Sequence, residues 1–348
     1  MTDSTITIDR HLDAARLDDE MAAEIRRSFR NRPIVLAPRW LYDDRGSELF
    51  DRITRLAEYY PTEAERTVLI ARADEIAEVT GADTVVELGS GTSDKTRTLL
   101  DAFHRRGQLS TFVPLDVSEG TLQDAARMLA SRYDGLAVHA LVGDFNRHLR
   151  HLPRSAERRR LVAFLGGTIG NFYVEERRAF LGALADQLRS DEWLLLGVDL
   201  VKPLDRIVDA YFDEATVTEQ FIKNSLTVIN RRFNADFDLD CFDYVPLWDA
   251  RERRVDMRLR ATTPQTVSLR DLDLEVELSA GEEIRVEIST KFDREDLTAE
   301  LDDVGLVVER FWSDPSNDFG LLLAHRRGDP TAGEVLTIAD STGGDRLS

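Results

Sequence analysis

The sequence holds a single cysteine, Cys241, in 348 residues, so it can form no internal disulfide and no cysteine-rich metal site. Lysine is nearly as scarce. Lys95, Lys202, Lys223 and Lys291 are the only four, and arginine supplies the remaining basic charge, a bias that reads as coding composition. Acids outnumber bases 65 to 45, giving a formal net charge of −20, which leaves no electrostatic footprint for nucleic acid or an anionic membrane. No apolar run of about 18 residues occurs, and the N-terminus lacks a basic-then-apolar leader. The six histidines (His11, His104, His139, His148, His151, His325) have no metal-ligand spacing with acids or with one another. His148 and His151, three apart beside a basic loop, read as surface residues. A cytoplasmic, soluble chain is expected, taken as a monomer, with no metal and neither nucleic acid nor membrane as partner.

Between two short ends, 1–10 and 328–348, that read as disordered tails, strand and helix patterns alternate. Residues 63–79 carry apolar positions at helical spacing. Strand-like runs follow at 84–88, 111–115, 137–142, 161–165 and 193–198, with helices at 94–105, 118–132 and 174–189. This alternation predicts βαβ units, a parallel sheet and right-handed crossovers with helices on both faces. After 202 the pattern changes. Residues 203–231 read as helix, and 254–262, 265–269, 273–279 and 283–290 alternate like antiparallel strands. A helix near 293–303 and two apolar runs, 305–312 and 319–325, joined by Ser-Asp-Pro-Ser-Asn, predict a closing hairpin. The expected fold is α/β: a Rossmann-like sheet of five parallel strands plus an antiparallel C-terminal hairpin, over 63–202 and 291–327. Residues 11–62 and 203–290 are expected to form a second, α+β domain.

Ligands of open α/β sheets bind beyond the carboxyl ends of the strands. Residues 84–95 read T-V-V-E-L-G-S-G-T-S-D-K: a β-branched run, an acid at Glu87, then Gly89 and Gly91 before a helix. Glycine there permits positive φ and close approach of backbone to a ligand. A dinucleotide fingerprint would place a third glycine three after Gly91, but Asp94 stands there. A carboxylate at that point suits a cationic, phosphate-free ligand better than a diphosphate. Asp116 ends the second strand, where it can accept both ribose hydroxyls or act as a helix N-cap. Asp144-Phe145 ends the third, offering a carboxylate for an adenine amino group beside a ring. The fourth ends in G-G-T-I-G-N, with Asn171 able to donate and accept, or to cap the next helix. Acids at three successive strand ends point to S-adenosylmethionine, a methyl donor that carries a sulfonium and an ammonium.

With these motifs in view, the chain resembles the L-histidine Nα-methyltransferases of ergothioneine biosynthesis, a class I S-adenosylmethionine family with an added substrate domain. The resemblance spans about residues 30–326. It rests on W-L-Y-D-D-R-G-S-E-L-F-D-R-I-T-R-L-A-E-Y-Y-P-T at 40–62, V-E-L-G-S-G-T-S-D-K-T-R at 86–97, G-D-F at 143–145, and F-L-G-G-T-I-G-N at 164–171. Further matches are L-L-L-G-V-D-L-V-K at 194–202, N-A-D-F-D-L-D at 234–240 and V-E-I-S-T-K-F at 286–292.

The resemblance implies cofactor contacts at Gly89, Lys95, Asp116, Asp144 and Phe145. Lys95 is not apparent from pattern alone, where it looks like a surface helix residue. It implies L-histidine contacts at Tyr59, Asn171, Tyr211, Glu287 and Ser289, with Met257 lining the imidazole pocket and Tyr42 at the reacting amine. Asn171 and Tyr211 can donate to an α-carboxylate, Glu287 can accept an imidazole N–H, and Ser289 can serve the other ring nitrogen. Two residues apart on a strand, Glu287 and Ser289 point to one face, which without the resemblance reads as a solvated face. Tyr60 reads as core. The implied reaction is stepwise trimethylation of the histidine α-amine. A rival reading keeps the scaffold but takes tryptophan or tyrosine; Glu287 argues against it, since an indole pocket gains little from a buried carboxylate. Retained Tyr42 and Asn171 argue against an inactive binding module, and Asp94 against a dinucleotide oxidoreductase.

Overall fold

In the computed structural model, which describes residues 5–12 and 14–328, the β-branched runs assemble into one eight-stranded sheet. Its order is Ile6–Arg10, Ala137–Val142, Thr111–Asp116, Thr84–Leu88, Arg160–Phe164, Trp193–Asp199, Phe319–Arg326, Leu306–Ser313. The first six run parallel and the last two antiparallel. All five residues of the central strand Thr84–Leu88 are buried, because helices cover both faces. Val85 enters a core shared with helices Tyr60–Thr80, Thr96–Arg105 and Glu119–Arg132, while Val86 enters one shared with Val174–Ala185 and Arg294–Asp303. The chain leaves Thr84–Leu88 toward one edge and returns to Arg160–Phe164 on its other side. That reversal opens a crevice at the carboxyl ends of these two strands.

A second sheet of four strands is ordered Ile34–Val35, Glu283–Thr290, Arg254–Ala261, Phe242–Asp249, and Gln265–Leu269 pairs separately with Leu274–Leu278. Ile34 lies opposite Ile284 in a parallel pair. Apolar side chains from 21–60 and 207–286 share one core.

Several details depart from the sequence expectation. Ile6–Arg10, expected to be tail, is an edge strand parallel to Ala137–Val142. Ile8 packs on Leu122, Ala140 and Val142, and Asp9 Oδ2 meets His139 Nε2 at 2.7 Å; five half-exposed residues carry too little pattern to show this. The remainder of the expected tails, 1–4 and 329–348, lies outside the described residues. Phe242–Asp249 was also not expected, because Pro246 interrupts it; as an edge strand it tolerates the missing N–H. The helical stretch after 203 is two helices, Leu204–Tyr211 and Val217–Phe233. Asp213 sits between them and accepts from the Val217 and Thr218 N–H groups at 2.6 and 2.9 Å. Helix Tyr60–Thr80 starts earlier than the periodicity indicates, with Pro61 in its first turn and left-handed Gly81 at its end. Among the described residues no helix is long and apolar enough to cross a membrane.

Candidate functional site

The loop after Thr84–Leu88 turns through positive φ at Gly89 (69°) and Gly91 (47°), conformations that glycine alone adopts without cost. Asp116, at the end of the neighbouring strand, holds this loop: its Oδ2 accepts the Gly91 N–H and its Oδ1 the Ser118 N–H, each at 2.9 Å. Burial pushes the Asp116 carboxyl above its usual range, against these two amides. A Cβ on Gly89 would lie 3.4 Å from the Phe145 ring, so ring and loop face each other. Phe145 is steadied edge-on by Phe164, with centroids 5.2 Å apart. Asp144 Oδ1 accepts the Asn146 N–H at 2.9 Å, and the Asp144 N–H donates to His148 Nδ1 at 2.9 Å. His148 is therefore part of the Asp144 turn rather than a plain surface residue. Its ring also stacks with that of His11 and lies tilted against that of His151, with centroids 5.8 Å apart. The buried Ser90 hydroxyl has no hydrogen-bond partner among the described residues. This cradle of turned glycines, an aromatic wall and carboxylates fits an adenosyl group that carries a cationic tail.

Lys95 is not the surface residue its position suggested. Its ammonium pairs with Glu65, a fully buried acid whose Oε1 accepts the Gly166 N–H at 2.7 Å. Glu65 thus ties helix Tyr60–Thr80 to both strand ends that flank the crevice. The signal was present: Glu65 occupies the stripe of Pro61, Val68 and Leu69 that this helix buries, where an acid is out of place.

Beyond Gly166 a pocket of about 460 Å³, its mouth included, is lined by Tyr42, Tyr59, Asn171, Tyr211, Met257, Glu287 and Ser289. The structure therefore brings together every residue implied for the amino acid. Glu287 and Ser289 are 6% and 8% exposed, so their strand face is not solvated. Met257 pairs with Glu287 across strands Arg254–Ala261 and Glu283–Thr290. The Asn171 amide donates to Glu287 Oε1 at 2.8 Å, and burial raises the Glu287 carboxyl to about 8, against the opposing pull of Lys291. Tyr42 packs edge-on against Phe50 and Phe221. Burial, with the charge of Glu287 and the Tyr59 phenol adding to it, pushes the Tyr42 phenol well above its ordinary value.

Sequence reasoning missed Phe50, Gly167, Thr168, Asp199 and Phe319 in this lining, and the lysines behind it. Asp199 ends its strand beneath the pocket and accepts from Tyr60 Oη at 2.9 and 3.0 Å. It also pairs with Lys202 and, at 2.8 Å, with Lys291. Burial pushes Lys202 down to about 8 and lowers Lys291 as well, with Asp199 resisting in both. Three of the four lysines thus stand at the crevice, so their scarcity hid a functional concentration. Tyr60 is core, as expected, but its hydroxyl serves this cluster. Among the described residues no group of three or more histidine, cysteine or acidic side chains is placed to hold a metal.

Residues 21–326 match a family described as histidine-specific, SAM-dependent methyltransferases. The chain is 47% identical over 322 residues to a histidine N-alpha-methyltransferase of Mycolicibacterium smegmatis, covering 92% of this chain and 100% of that one. It is 48% identical over 321 residues to the Mycobacterium tuberculosis protein of the same name, covering 92% and 99%. Ergothioneine biosynthesis protein 1 of Schizosaccharomyces pombe is 36% identical over 219 residues, 60% of this chain and 28% of that longer protein.

Proposed function

The chain belongs to the histidine-specific, SAM-dependent methyltransferase family, and from that premise we propose that it trimethylates the α-amine of L-histidine to hercynine, the first step of ergothioneine biosynthesis. One observation carries the reading. Tyr42, Tyr59, Asn171, Tyr211, Met257, Glu287 and Ser289 come from distant stretches yet line one pocket with Gly166 and Gly167. Gly89, Lys95, Asp116, Asp144 and Phe145 are read as the residues that hold S-adenosylmethionine, Lys95 through Glu65 and Gly166. We read the core shared by 21–60 and 207–286 as that of a substrate domain, and the two cores on either face of the eight-stranded sheet as those of a cofactor domain.

When bound, S-adenosylmethionine would supply an electrophilic methyl group: an amine lone pair attacks the methyl carbon in line as the S–CH3 bond breaks and S-adenosylhomocysteine leaves. The protein must orient that lone pair and keep it free. Tyr42, held protonated by burial, is no base at neutral pH; its phenol oxygen can accept an amine N–H and its ring can face the ammonium as methyl groups accumulate. The α-amine itself must be neutral before each transfer, so the site selects that form and the proton leaves to water. Tyr211 and Asn171 border the carboxylate position, while Glu287 and Ser289 border the ring. The fit is chemical: Glu287, beside Met257, can accept an imidazole N–H while Ser289 serves the second ring nitrogen, which an indole or a phenol lacks.

The test is direct. The protein is incubated with S-adenosylmethionine and, separately, histidine, tryptophan and tyrosine, and product masses are followed. Histidine should gain three methyl groups; turnover of tryptophan or tyrosine with histidine untouched would sink the reading. We also infer a cytoplasmic location, in keeping with the single cysteine, and take a monomer as the default; light scattering after size exclusion checks the monomer.

A further inference from the structure

Lys291 is buried at 1% exposure and stands behind the pocket lining, not in it. Its Nζ lies 2.8 Å from Asp199 Oδ2 and 2.7 Å from both Tyr211 Oη and Ser289 Oγ. An ammonium has three N–H directions and no lone pair. All three are committed, and two end on hydroxyl oxygens that line the pocket. The Tyr211 hydroxyl in turn donates to Ser289 Oγ at 2.7 Å. Ser289 Oγ therefore accepts twice, which uses its lone pairs, and its own hydrogen is left for the cavity.

A hydrogen aimed into the pocket restricts what can face it. Neutral imidazole offers one bare ring nitrogen, whereas imidazolium carries hydrogens on both. We propose that Lys291 is a positioning residue for ring recognition: it locks the Tyr211 and Ser289 hydroxyls so that Ser289 donates to the bare nitrogen of a neutral imidazole, leaving the ring N–H to Glu287. This role rests on the histidine reading above. Removing Lys291 does not orphan Asp199, which keeps Lys202 and the Tyr60 hydroxyl.

Two measurements test it. Lys291→Met keeps side-chain length but removes the donors. It should raise the histidine KM at least tenfold, change kcat less, and leave S-adenosylhomocysteine affinity within about twofold. Ser289→Ala should cost about fivefold or more in the parent but less than about twofold in the Lys291→Met background. Penalties that multiply would overturn the proposal. The second measurement needs no substitution and stands if Lys291→Met fails to fold. In the presence of S-adenosylhomocysteine, histidine binding is compared with that of its 1,2,4-triazole analogue, whose ring stays neutral. The groups facing the ring are Glu287, Lys291, Asp199 and the phenols of Tyr42, Tyr59 and Tyr211, and they act on both ligands alike. The preference for the analogue should grow about tenfold per pH unit below about 6.5; a constant ratio refutes the role of Ser289 as donor. If the unsubstituted protein turns over no histidine, the functional reading falls first and this role with it.

Discussion

Asn171 donates its side-chain amide to Glu287 Oε1 at 2.8 Å, joining the end of a parallel strand in the first sheet to the inner strand of the second. Both residues are read as holding the acceptor, so the bond ties the amino-acid pocket to the first sheet. It fixes one oxygen of a carboxyl that burial has raised to about 8.

Glu287 should therefore make the ligand-free protein sensitive to alkali. A carboxyl whose folded pKa exceeds its unfolded value contributes stability below about 4.5, and that contribution is lost as pH rises through about 8. Glu87, raised to about 8 chiefly by burial, adds a similar slope. Glu287→Gln should make the fall in stability between these limits shallower without abolishing it, as read by denaturant unfolding at several pH values. The same variant should raise the histidine KM at least tenfold while S-adenosylhomocysteine affinity stays within about twofold. Equal losses on both ligands would mean that Glu287 does not read the ring.

His148 predicts an acid limb for cofactor binding. Its Nδ1 must be bare to accept the Asp144 N–H, and burial pushes its pKa below 6.5, with Asp144 opposing. The contact is thus intact above about 6.5 and lost as pH falls through the lowered folded value. S-adenosylhomocysteine affinity, measured by calorimetry from pH 7.5 down to 5, should weaken toward acid. In His148→Ala it should start a few-fold weaker and lose that dependence. An unchanged profile would show that the Asp144 turn does not rely on this ring.

Glu65 makes a structural prediction. Glu65→Ala strands the Lys95 ammonium and the Gly166 N–H together and should cost about 2–4 kcal/mol, since one buried partner is removed while others remain. Glu65→Gln keeps an acceptor for Gly166 and should recover at least half of that loss in thermal unfolding. Cofactor affinity should follow the same order. An alanine variant as stable as the parent would contradict the ties drawn for Glu65.

What could be read in advance follows from where each signal resides. Gly89, Asp116 and Asp144 were legible because a strand end, a turn and a carboxylate are neighbours in the chain, so the chemistry is written locally. Glu287 and Ser289 share a face by strand periodicity, but only tertiary packing distinguishes a pocket wall from a wet surface. Asp199 ends a strand yet was not singled out, because what marks it as part of the site is its partners Lys202, Lys291 and Tyr60, and each arrives from a different element. Edge strands were the weakest signal. Ile6–Arg10 is short and partly exposed, and Pro246 breaks the pattern of Phe242–Asp249.

The pairing of Ile34 with Ile284 has a consequence for how the molecule comes into being on the ribosome. The parallel strands and most of their covering helices have been synthesised once Asp199 is made; helix Arg294–Asp303 and the flanking hairpin follow later. The second sheet cannot close until a strand near the far end of the chain has emerged, because the early segment 34–35 must wait for 284–285. Contacts so distant in sequence form slowly. The nascent chain therefore passes through a stage with its donor cradle largely built and no acceptor pocket, and selectivity for the amino acid is the last property it acquires.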